Sequence, residues 1–264
     1  MDLQLTNKKA LVSGSTAGIG FAIASLLAQE GASVVVNGRS QQRVDDALQR
    51  IRSENKSAQV TGIAADLGTK EGVALLTGQL TAVDILVNNL GIFEPKLFPE
   101  ITDEDWLRFF EVNVLSGVRL SRFYLPKMLQ KNWGRIVFIS SESALNTPVE
   151  MVHYGVTKTA QIALARGLAE TTAGTNVTVN SVLPGPTRSE GVERFVKDMA
   201  KGQGGDEKAV EKEFFRSVRP SSLLKRFETP EEVAAMVVYV CSPRASATNG
   251  TALRVDGGVV KSIV

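Results

Sequence analysis

Short apolar runs rich in β-branched residues alternate with longer segments of helical periodicity along most of the chain. We predict strands at residues 8–13, 33–37, 58–64, 83–88, 135–140, 176–183 and 251–256. We predict helices at residues 18–30, 41–54, 69–80, 103–131, 151–173 and 230–242. This alternation is typical of βαβ units, and strands that are apolar almost throughout are typical of a parallel sheet covered on both faces. The sequence therefore predicts an α/β fold in which a doubly wound, mostly parallel seven-stranded sheet carries helices on both faces.

The 264 residues fit a single domain of this kind, because single α/β domains often exceed the usual domain length. Residues 186–228 interrupt the alternation with mixed charge and glycine, and Phe214 and Phe215 there suit the apolar face of a helix. Long insertions in compact domains are often lids or binding loops. We therefore expect one domain, residues 1–264, with a substrate loop or lid at about 186–228.

The composition excludes several classes of protein. Thirty basic residues against 28 acidic ones give a formal net charge of +2, without the basic stripe that nucleic-acid binding needs. Cys241 is the only cysteine and His153 the only histidine, so an internal disulfide and a Cys/His zinc site are ruled out. Residues 1–7 lack the apolar segment of a signal peptide, and no apolar run approaches the roughly 20 residues of a membrane span. We expect a cytoplasmic protein with no metal, nucleic acid or membrane partner.

Residues 10–21 form a strand, a glycine-rich turn and the start of a helix. The N-terminus of a helix binds phosphate when the backbone N–H groups can be approached. In a dinucleotide site, Gly14 would permit the tight turn, Gly18 would let the backbone approach the pyrophosphate, and Gly20 would let the helix pack on the strand. Glycine can also occupy such a turn for geometry alone, so the cluster needs support from elsewhere.

Two other interpretations of this turn do not hold. Residues 14–18 could form the strained elbow of a hydrolase, with Thr16 where the nucleophilic serine would stand. Such a hydrolase needs a histidine late in the chain, whereas the single His153 lies mid-chain. A Walker-type phosphate loop is excluded because no Gly-Lys-Ser/Thr follows the turn.

Tyr154 and Lys158 lie four residues apart on a predicted helix and hence on one face of it. A neighbouring ammonium favours the phenolate, which brings a tyrosine toward the range where it can exchange a proton with an alkoxide. The spacing alone is common and decides nothing. His153 lies beside Tyr154 but about 100° round the helix, so we expect it to be a packing or surface residue.

Taken together, these features resemble the short-chain dehydrogenase/reductase family over nearly the whole chain. The residues that carry the resemblance are the turn at 13–20, Asn88-Asn89-Leu90-Gly91 after the fourth strand, Asn113, Ser141, the Tyr154 and Lys158 pair, and Pro184-Gly185 after the sixth strand. Ser13 stands where the family has threonine, and Leu90 where it has alanine. The resemblance implies a single-domain Rossmann fold and hydride transfer between a nicotinamide cofactor and a carbonyl or alcohol.

The resemblance also implies four catalytic roles. Tyr154 would be the general acid and base, and Lys158 would lower its pKa and hold the nicotinamide ribose. Ser141 would hydrogen-bond the substrate oxygen, and Asn113 would support a water-linked proton relay. Hydroxyl and phenol donors aimed at a developing alkoxide supply electrostatic stabilisation, which agrees with these roles.

A cofactor-binding set follows from the same resemblance. It comprises Gly14, Ser15, Thr16, Gly18, Ile19, Gly20, Arg39, Asp66, Leu67, Asn89, Gly91, Tyr154, Lys158, Pro184, Gly185 and Thr187. Asp66 and Leu67 would contact the adenine, and Asn89 and Gly91 would line the adenosine side.

The end of the second strand predicts the choice of cofactor. In dinucleotide folds an acidic residue there binds the free 2′-hydroxyl of the adenosine ribose and repels a 2′-phosphate. Gly38 occupies that position, and Arg39 follows it with a guanidinium suited to phosphate. We expect NADP(H), with NAD(H) as second choice. The alternative is an exposed arginine that merely precedes a helix, and Ala17 lacks the second basic residue of some NADP enzymes.

Three functions are weighed. The leading hypothesis is an NADP(H)-dependent oxidoreductase acting on a small-molecule carbonyl or alcohol. The second is a 3-oxoacyl-acyl-carrier-protein reductase; the resemblance implies docking arginines where Asn132 and Thr175 stand here, which weakens it. The third is a non-catalytic, cofactor-sensing regulator, which need not retain the four catalytic residues. The resemblance further implies a homodimer or homotetramer formed through helices 103–131 and 151–173.

Overall fold

The computed structural model describes residues 1–193, 196–197 and 206–263 of the chain. Residues 194, 195 and 198–205 of the expected lid lie outside the described residues. The strands of the described part are β1 Lys9–Val12, β2 Ser33–Gly38, β3 Val60–Ala64, β4 Ile85–Asn88, β5 Gly134–Ile139, β6 Val177–Pro184 and β7 Ala252–Val255.

These strands form one sheet in the order β3-β2-β1-β4-β5-β6-β7, and every pairing in it is parallel. The order reverses at β1, which pairs with β2 on one side and β4 on the other. Val12 is in register with both Val36 and Val87, so the carboxyl ends of the three strands lie side by side. Ligands of doubly wound sheets bind outside the carboxyl ends at such a reversal. The turns that follow β1 and β4 are therefore at the expected ligand site.

The helices are α1 Gly18–Gln29, α2 Gln41–Glu54, α3 Lys70–Gln79, α4 Asp103–Phe110, α5 Ser116–Lys131, α6 Val152–Glu170, α7 Glu207–Ser217 and α8 Pro230–Cys241. Residues 190–193 and 196–197 are helical as well. The start of α8 shows why a helix begins where it does. The Thr229 hydroxyl accepts from the Glu232 N–H at 3.2 Å, and the Glu232 carboxylate accepts from the Thr229 N–H at 2.9 Å.

Two apolar layers cover the sheet. One layer joins α1, α2 and α8 to β1, β2 and β4 through residues such as Ile23, Val34 and Val237, all fully buried. The other joins α3, α5 and α6 to the opposite face through residues such as Leu76 and Phe138. The strands are apolar on both sides because both sides are covered. The predicted single-domain Rossmann fold, with a seven-stranded parallel sheet and helices on both faces, is confirmed.

The predicted helix 103–131 differs from the structure in its middle. A π-helical turn, Glu111–Leu115, lies between α4 and α5. At its centre the Asn113 side chain accepts from the Ile92 N–H at 2.8 Å and donates to the Ile92 carbonyl at 3.0 Å. These contacts with a distant loop hold Asn113 inward, and π-helical turns frequently occur at functional sites. The other predicted elements agree with the structure to within three residues at each end.

No helix in the described part of the chain is long and apolar enough to cross a membrane.

Candidate active site

The glycine-rich turn after β1 has the geometry that its glycines require. Gly14 and Gly18 have φ values of +60° and +55°, a region that favours glycine. A β-carbon at Gly20 would lie 2.4 Å from Asn89 Nδ2 and 2.5 Å from the Gly14 carbonyl oxygen. Asn89 Nδ2 in turn donates to the carbonyls of Ser13 and Gly14, both at 3.0 Å. Asn89 therefore holds the turn in place from the adjacent strand β4.

Ser13 and Ser15 shape this turn from within. The Ser13 hydroxyl accepts from the N–H groups of Asn89 and Leu90 at 2.9 and 3.0 Å. Ser15 is fully buried, with its hydroxyl donating to the Val12 carbonyl at 2.7 Å and its N–H donating to the Asn37 carbonyl at 2.8 Å. Ser15 was predicted to contact the cofactor. Its own donors are used inside the protein, where they support the turn, and the contact with the cofactor stays a prediction.

The two residues predicted to contact the adenine, Asp66 and Leu67, differ in their exposure. Asp66 is exposed, and its Oδ1 accepts from the Gly68 N–H at 3.0 Å. Leu67 is buried in the apolar layer that contains α3 and α5. Asp66 therefore faces outward where a ligand can reach it, whereas the Leu67 side chain is part of the core.

Gly38 and Arg39 lie at the carboxyl end of β2, beside the glycine-rich turn. A β-carbon at Gly38 would lie 2.5 Å from Thr16 Cγ2, so the Thr16 side chain occupies the space that a larger residue would need. Arg39 is exposed, and its guanidinium makes no hydrogen bond or ion pair with the described residues. The structure thus leaves a cation available at the expected ribose end of the site.

Asn113 and Lys158 are joined through Gln161, a residue that belongs to none of the sequence motifs. The Gln161 amide donates to the Asn113 carbonyl oxygen, and Gln161 Oε1 accepts from Lys158 Nζ at 3.3 Å. The Asn113 side chain also donates to Thr157 Oγ1 at 3.0 Å. All four residues are buried. A side chain thus connects Asn113 and Lys158 within the protein, and the water-linked relay implied by the resemblance stays a prediction.

Lys158 is a buried ammonium without an acidic partner in the described part of the chain. Its Nζ donates to the Ile139 carbonyl at 2.9 Å, in addition to Gln161. Burial lowers the pKa of Lys158 to about 7. Gly91 lies beside it, since a β-carbon there would be 3.3 Å from Nζ. Gly91, which was predicted to line the adenosine side, thus lies next to Lys158 in the structure.

Tyr154 lies one helical turn before Lys158, and Lys158 Nζ is 5.6 Å from the centre of its ring. Burial raises the pKa of Tyr154 to about 12, although a hydrogen bond with Ser141 opposes the shift. Burial is thus the largest effect on this pKa. Lys158, with a pKa of about 7, carries little charge at the higher pH where the phenol would ionise.

Ser141 follows β5 and borders a cleft of about 890 Å³. The same cleft is lined by the predicted residues Ile19, Asn89, Gly91, Tyr154, Lys158, Pro184, Gly185 and Thr187. Its far wall includes Phe214 of α7, which packs against Phe227 with ring centroids 5.0 Å apart. The same cleft is thus lined by the predicted acid Tyr154, by predicted cofactor residues and by part of the expected lid.

Gly185 and Thr187 are held by the chain itself at the end of β6. The Gly185 N–H donates to the Val255 carbonyl at 2.8 Å, and Thr187 Oγ1 donates to the Gly185 carbonyl at 3.0 Å. A β-carbon at Gly185 would lie 2.8 Å from Asp256 Cα. Glycine is therefore required there for close packing of the loops.

His153 is buried against the ring of Phe109, with centroids 4.0 Å apart, and its Nδ1 has no hydrogen-bond partner among the described residues. Burial holds the pKa of His153 below its ordinary value. It packs on α4, as expected for a packing residue. No group of three or more His, Cys, Asp or Glu side chains able to hold a metal occurs among the described residues.

Besides the buried Gln161, sequence reasoning missed two residues that line the cleft. Glu142 and Arg219 form a buried ion pair of 2.9 Å, although they are 77 positions apart in the chain. Because the two residues are so far apart in the chain, no local sequence pattern predicts their contact. The position of Glu142 directly after Ser141 was the available signal.

Comparison with known proteins assigns the family. The chain belongs to the short-chain dehydrogenase/reductase family, since the family model for short chain dehydrogenases matches residues 8–200. The uncharacterized oxidoreductase YvaG of Bacillus subtilis is 49% identical over 263 residues, which cover 100% of both chains. The 3-oxoacyl-acyl-carrier-protein reductase FabG of Aquifex aeolicus is 33% identical and covers 98% of this chain and 100% of its own.

Among solved structures, the L-sorbose reductase of Gluconobacter frateurii, complexed with NADPH and L-sorbose, superimposes with a TM-score of 0.93. It is 32% identical, and the match covers 100% of each chain. The chain is therefore an oxidoreductase of this family that uses a nicotinamide cofactor.

Proposed function

We propose that the chain is an NADP(H)-dependent oxidoreductase that acts on a small carbonyl or alcohol substrate with Tyr154 as general acid and base. The observation that carries the proposal is the buried amino group of Lys158, which has no acidic partner among the described residues and lies one turn from Tyr154. Burial lowers the pKa of Lys158 to about 7, so the site favours a ligand with hydroxyl groups or negative charge that stabilises the ammonium form.

The residues present fit a dinucleotide. Gly18 opens α1 with a backbone that a side chain does not obstruct, and Arg39 offers a guanidinium without a partner among the described residues. As an ammonium, Lys158 offers a third donor beyond those that Ile139 and Gln161 accept. The glycine-rich turn and α1 would hold the phosphates, Asp66 and Arg39 the adenosine, and Lys158 the nicotinamide ribose. When bound, the nicotinamide supplies or accepts the hydride.

The chain's own residues supply the proton. With its pKa raised to about 12, Tyr154 is protonated at neutral pH and can donate to the oxygen of a ketone. Ser141 would donate to the same oxygen and stabilise the charge that develops there. Gln161 holds Lys158 against Asn113, so it fixes the position of the ammonium beside Tyr154.

The choice of a small ketone over a carrier-bound acyl group rests on Asn132. The resemblance would place a docking arginine at this position. Asn132 instead ends α5 with a φ of +54°, and its Oδ1 accepts from the Asn176 N–H at 3.0 Å. Asparagine tolerates this left-handed conformation, so the residue has a structural role. The match to a solved reductase with NADPH and a sugar supports a small substrate.

The proposal includes an oligomer and a lid. Leu107 on α4, Leu115 after it and Val156 on α6 are 71%, 36% and 38% exposed. Exposed apolar side chains on neighbouring helices support a homodimer or homotetramer formed through this face. Phe214 and Val210 on α7 line the cleft, which supports a role for residues 186–228 in closing over the substrate.

The experiment is turnover of a panel of ketones, small aliphatic, aromatic and hydroxylated, with NADPH and with NADH. We expect ketone-dependent oxidation of NADPH, with a smaller kcat/KM for NADH. Absence of ketone-dependent oxidation of either cofactor across the panel would contradict the proposed activity.

A further inference from the structure

Five apolar side chains that line the cleft come from the loop after β4, the segment before α6 and the end of α7. We call them the apolar wall: Phe93, Val149, Met151, Phe214 and Val218. Three of them are open to solvent, since Val149 is 82%, Phe93 53% and Val218 43% exposed. Contact with an apolar ligand is favourable because it removes such surface from water. The apolar wall is therefore accessible hydrophobic surface that a ligand in the cleft can cover.

Phe93 places the apolar wall beside the predicted acid. Its ring meets the ring of Tyr154 edge to face, with centroids 6.4 Å apart. On another side Phe93 approaches the expected lid, since a β-carbon at Gly191 would lie 3.3 Å from Phe93 Cζ. More than half of the residue is still exposed. Phe93 is thus positioned to contact a group attached to a carbonyl that Tyr154 protonates.

The chain itself holds the apolar wall in place. The Lys96 N–H donates to the Glu150 carbonyl at 2.9 Å, which joins the loop of Phe93 to the segment before α6. Phe214 packs against the rings of Phe215 and Phe227, with centroids 5.1 and 5.0 Å apart. A surface that is ordered before the ligand arrives loses little entropy on binding. The apolar wall therefore favours binding more than a mobile set of the same side chains would.

The charged side chains of the cleft disfavour an anionic substrate. Apart from Lys158, Arg219 is the only cation among the described residues that line the cleft. Its guanidinium already faces Glu142 at 2.9 Å and Glu150 at 3.5 Å. Glu213 is a third acid on the lining. A substrate carboxylate or phosphate near the apolar wall would therefore lose water without gaining a free cation.

Two hydroxyl groups that line the cleft are already used inside the protein. Ser143 Oγ donates to Glu142 Oε1 at 3.2 Å, and Ser217 Oγ donates to the Glu213 carbonyl at 2.8 Å. Hydroxyl groups of a substrate that lay against carbon would lose their hydrogen bonds to water. The cleft therefore favours an apolar substituent over a polyhydroxylated one.

We propose that the apolar wall binds a hydrophobic group of the substrate and that Phe93 selects for it, so that the preferred substrates are uncharged ketones carrying a large hydrophobic group such as an aryl ring. This inference rests on the proposed function and names its substrate class. A ring that lies against Phe93 gains from the apolar surface removed from water and from the contact between two aromatic rings.

The test compares 4-phenyl-2-butanone with 2-butanone, which has the same carbonyl and lacks the ring. The ratio of their kcat/KM values with NADPH is measured for the wild type, Phe93→Ala and Phe98→Ala. Phe98 is the matched control, because it is a 61% exposed phenylalanine close by in the chain that does not line the cleft.

Any effect of a variant on Tyr154 or on the fold acts on both ketones, so a change in the ratio reports the contact with the phenyl ring. We expect the wild type to favour the phenyl ketone by at least about ten-fold. Phe93→Ala should lower the ratio by about ten-fold, and Phe98→Ala should leave it unchanged.

An unchanged ratio in Phe93→Ala, or a wild type that prefers 2-butanone, would overturn the inference while leaving the proposed function intact. A wild type that reduced other ketones of the panel but neither of these two would do the same. If no ketone at all were reduced, the proposed function and this inference would both be overturned.

A second measurement needs no variant. The ketones 4′-methylacetophenone and 4-acetylbenzoate have similar shapes, but the second carries a carboxylate in place of the methyl group. The wild type should reduce the neutral ketone at least about ten-fold more efficiently, because the cleft offers the carboxylate no free cation. Equal efficiency, or preference for the anion, would overturn the inference.

Discussion

The side-chain amide of Gln161 donates to the main-chain oxygen of Asn113, and this contact joins α6 to the π-helical turn between α4 and α5. Oε1 of the same side chain accepts a hydrogen bond from Lys158 Nζ at 3.3 Å. One buried side chain thus fixes the distance between two elements that carry predicted catalytic residues.

Gln161→Leu should therefore lower both stability and turnover. Leaving the buried Asn113 oxygen without its donor should cost about 1–3 kcal/mol in the free energy of unfolding. Loss of the acceptor for Lys158 should lower kcat as well. Gln161→Glu is the companion variant, because a carboxylate beside Nζ raises the pKa of Lys158. Chemical denaturation and the pH dependence of kcat/KM test the two effects. Wild-type kinetics and pH dependence in both variants would show that Gln161 is only a packing residue.

Binding of the cofactor should take up a proton. The pKa of Lys158 is about 7 in the protein because burial disfavours the ammonium, so the residue is mostly neutral at about pH 8. Negative charge on a bound dinucleotide raises that pKa. Calorimetric titration with NADPH in buffers of different ionisation enthalpy should show uptake of up to one proton, and Lys158→Met should abolish it. A binding enthalpy that does not depend on the buffer in the wild type would contradict this.

The choice of cofactor should depend on Arg39 and on the space beside Gly38. Arg39→Ala should lower kcat/KM for NADPH by about ten- to a hundred-fold and leave NADH nearly unaffected. Arg50→Ala, the same change on α2, is the control. Gly38→Asp alone would clash with Thr16, because a β-carbon there lies 2.5 Å from Thr16 Cγ2.

Thr16→Ala combined with Gly38→Asp should then favour NADH, since the new carboxylate binds a 2′-hydroxyl and repels a 2′-phosphate. Thr16→Ala alone is the control, because it opens the space beside Gly38 without adding the carboxylate. Equal use of NADH and NADPH by the wild type, or an unchanged ratio in Arg39→Ala, would refute the role of Arg39.

His153 should make the protein sensitive to acid without serving catalysis. Burial lowers its folded-state pKa below about 6.5, so the unfolded chain binds the proton more readily. The stability linked to this residue is fully present above that pH and is lost as pH falls through the folded-state pKa. His153→Leu should remove this part of the acid sensitivity and keep turnover within a few-fold. Urea unfolding between about pH 5 and pH 8 measures it. Identical pH slopes for variant and wild type, or loss of activity, would contradict this account.

The sequence was sufficient for those features that local patterns encode. The alternation of apolar strands with amphipathic helices predicted the sheet, and the turn at 13–20 predicted where β1 meets α1. Tyr154 and Lys158 could be placed on one helix face because four residues make about one turn.

The features that sequence reasoning missed depend on contacts between distant segments. The π-helical turn at Asn113 follows from its hydrogen bonds to Ile92, 21 positions away. The pairing of Glu142 with Arg219 depends on the path of the segment after β6. The buried position of Ser15 follows from its contacts with Asn37 on the neighbouring strand. None of these contacts has a periodicity or a motif by which it could be found.

The most direct test of the proposed chemistry is Tyr154→Phe. Removing the phenolic oxygen deletes the proton donor and little contact area, so the variant should bind NADPH within a few-fold of the wild type. Tyr239→Phe, the same change at a 39% exposed tyrosine on α8, is the matched control and should keep full activity. The measurement is kcat/KM for the best ketone of the panel, with the Kd for NADPH determined in parallel. We expect a loss of at least about a hundred-fold in kcat/KM for Tyr154→Phe alone, and activity above about a tenth of wild type would contradict the assignment of Tyr154 as the acid.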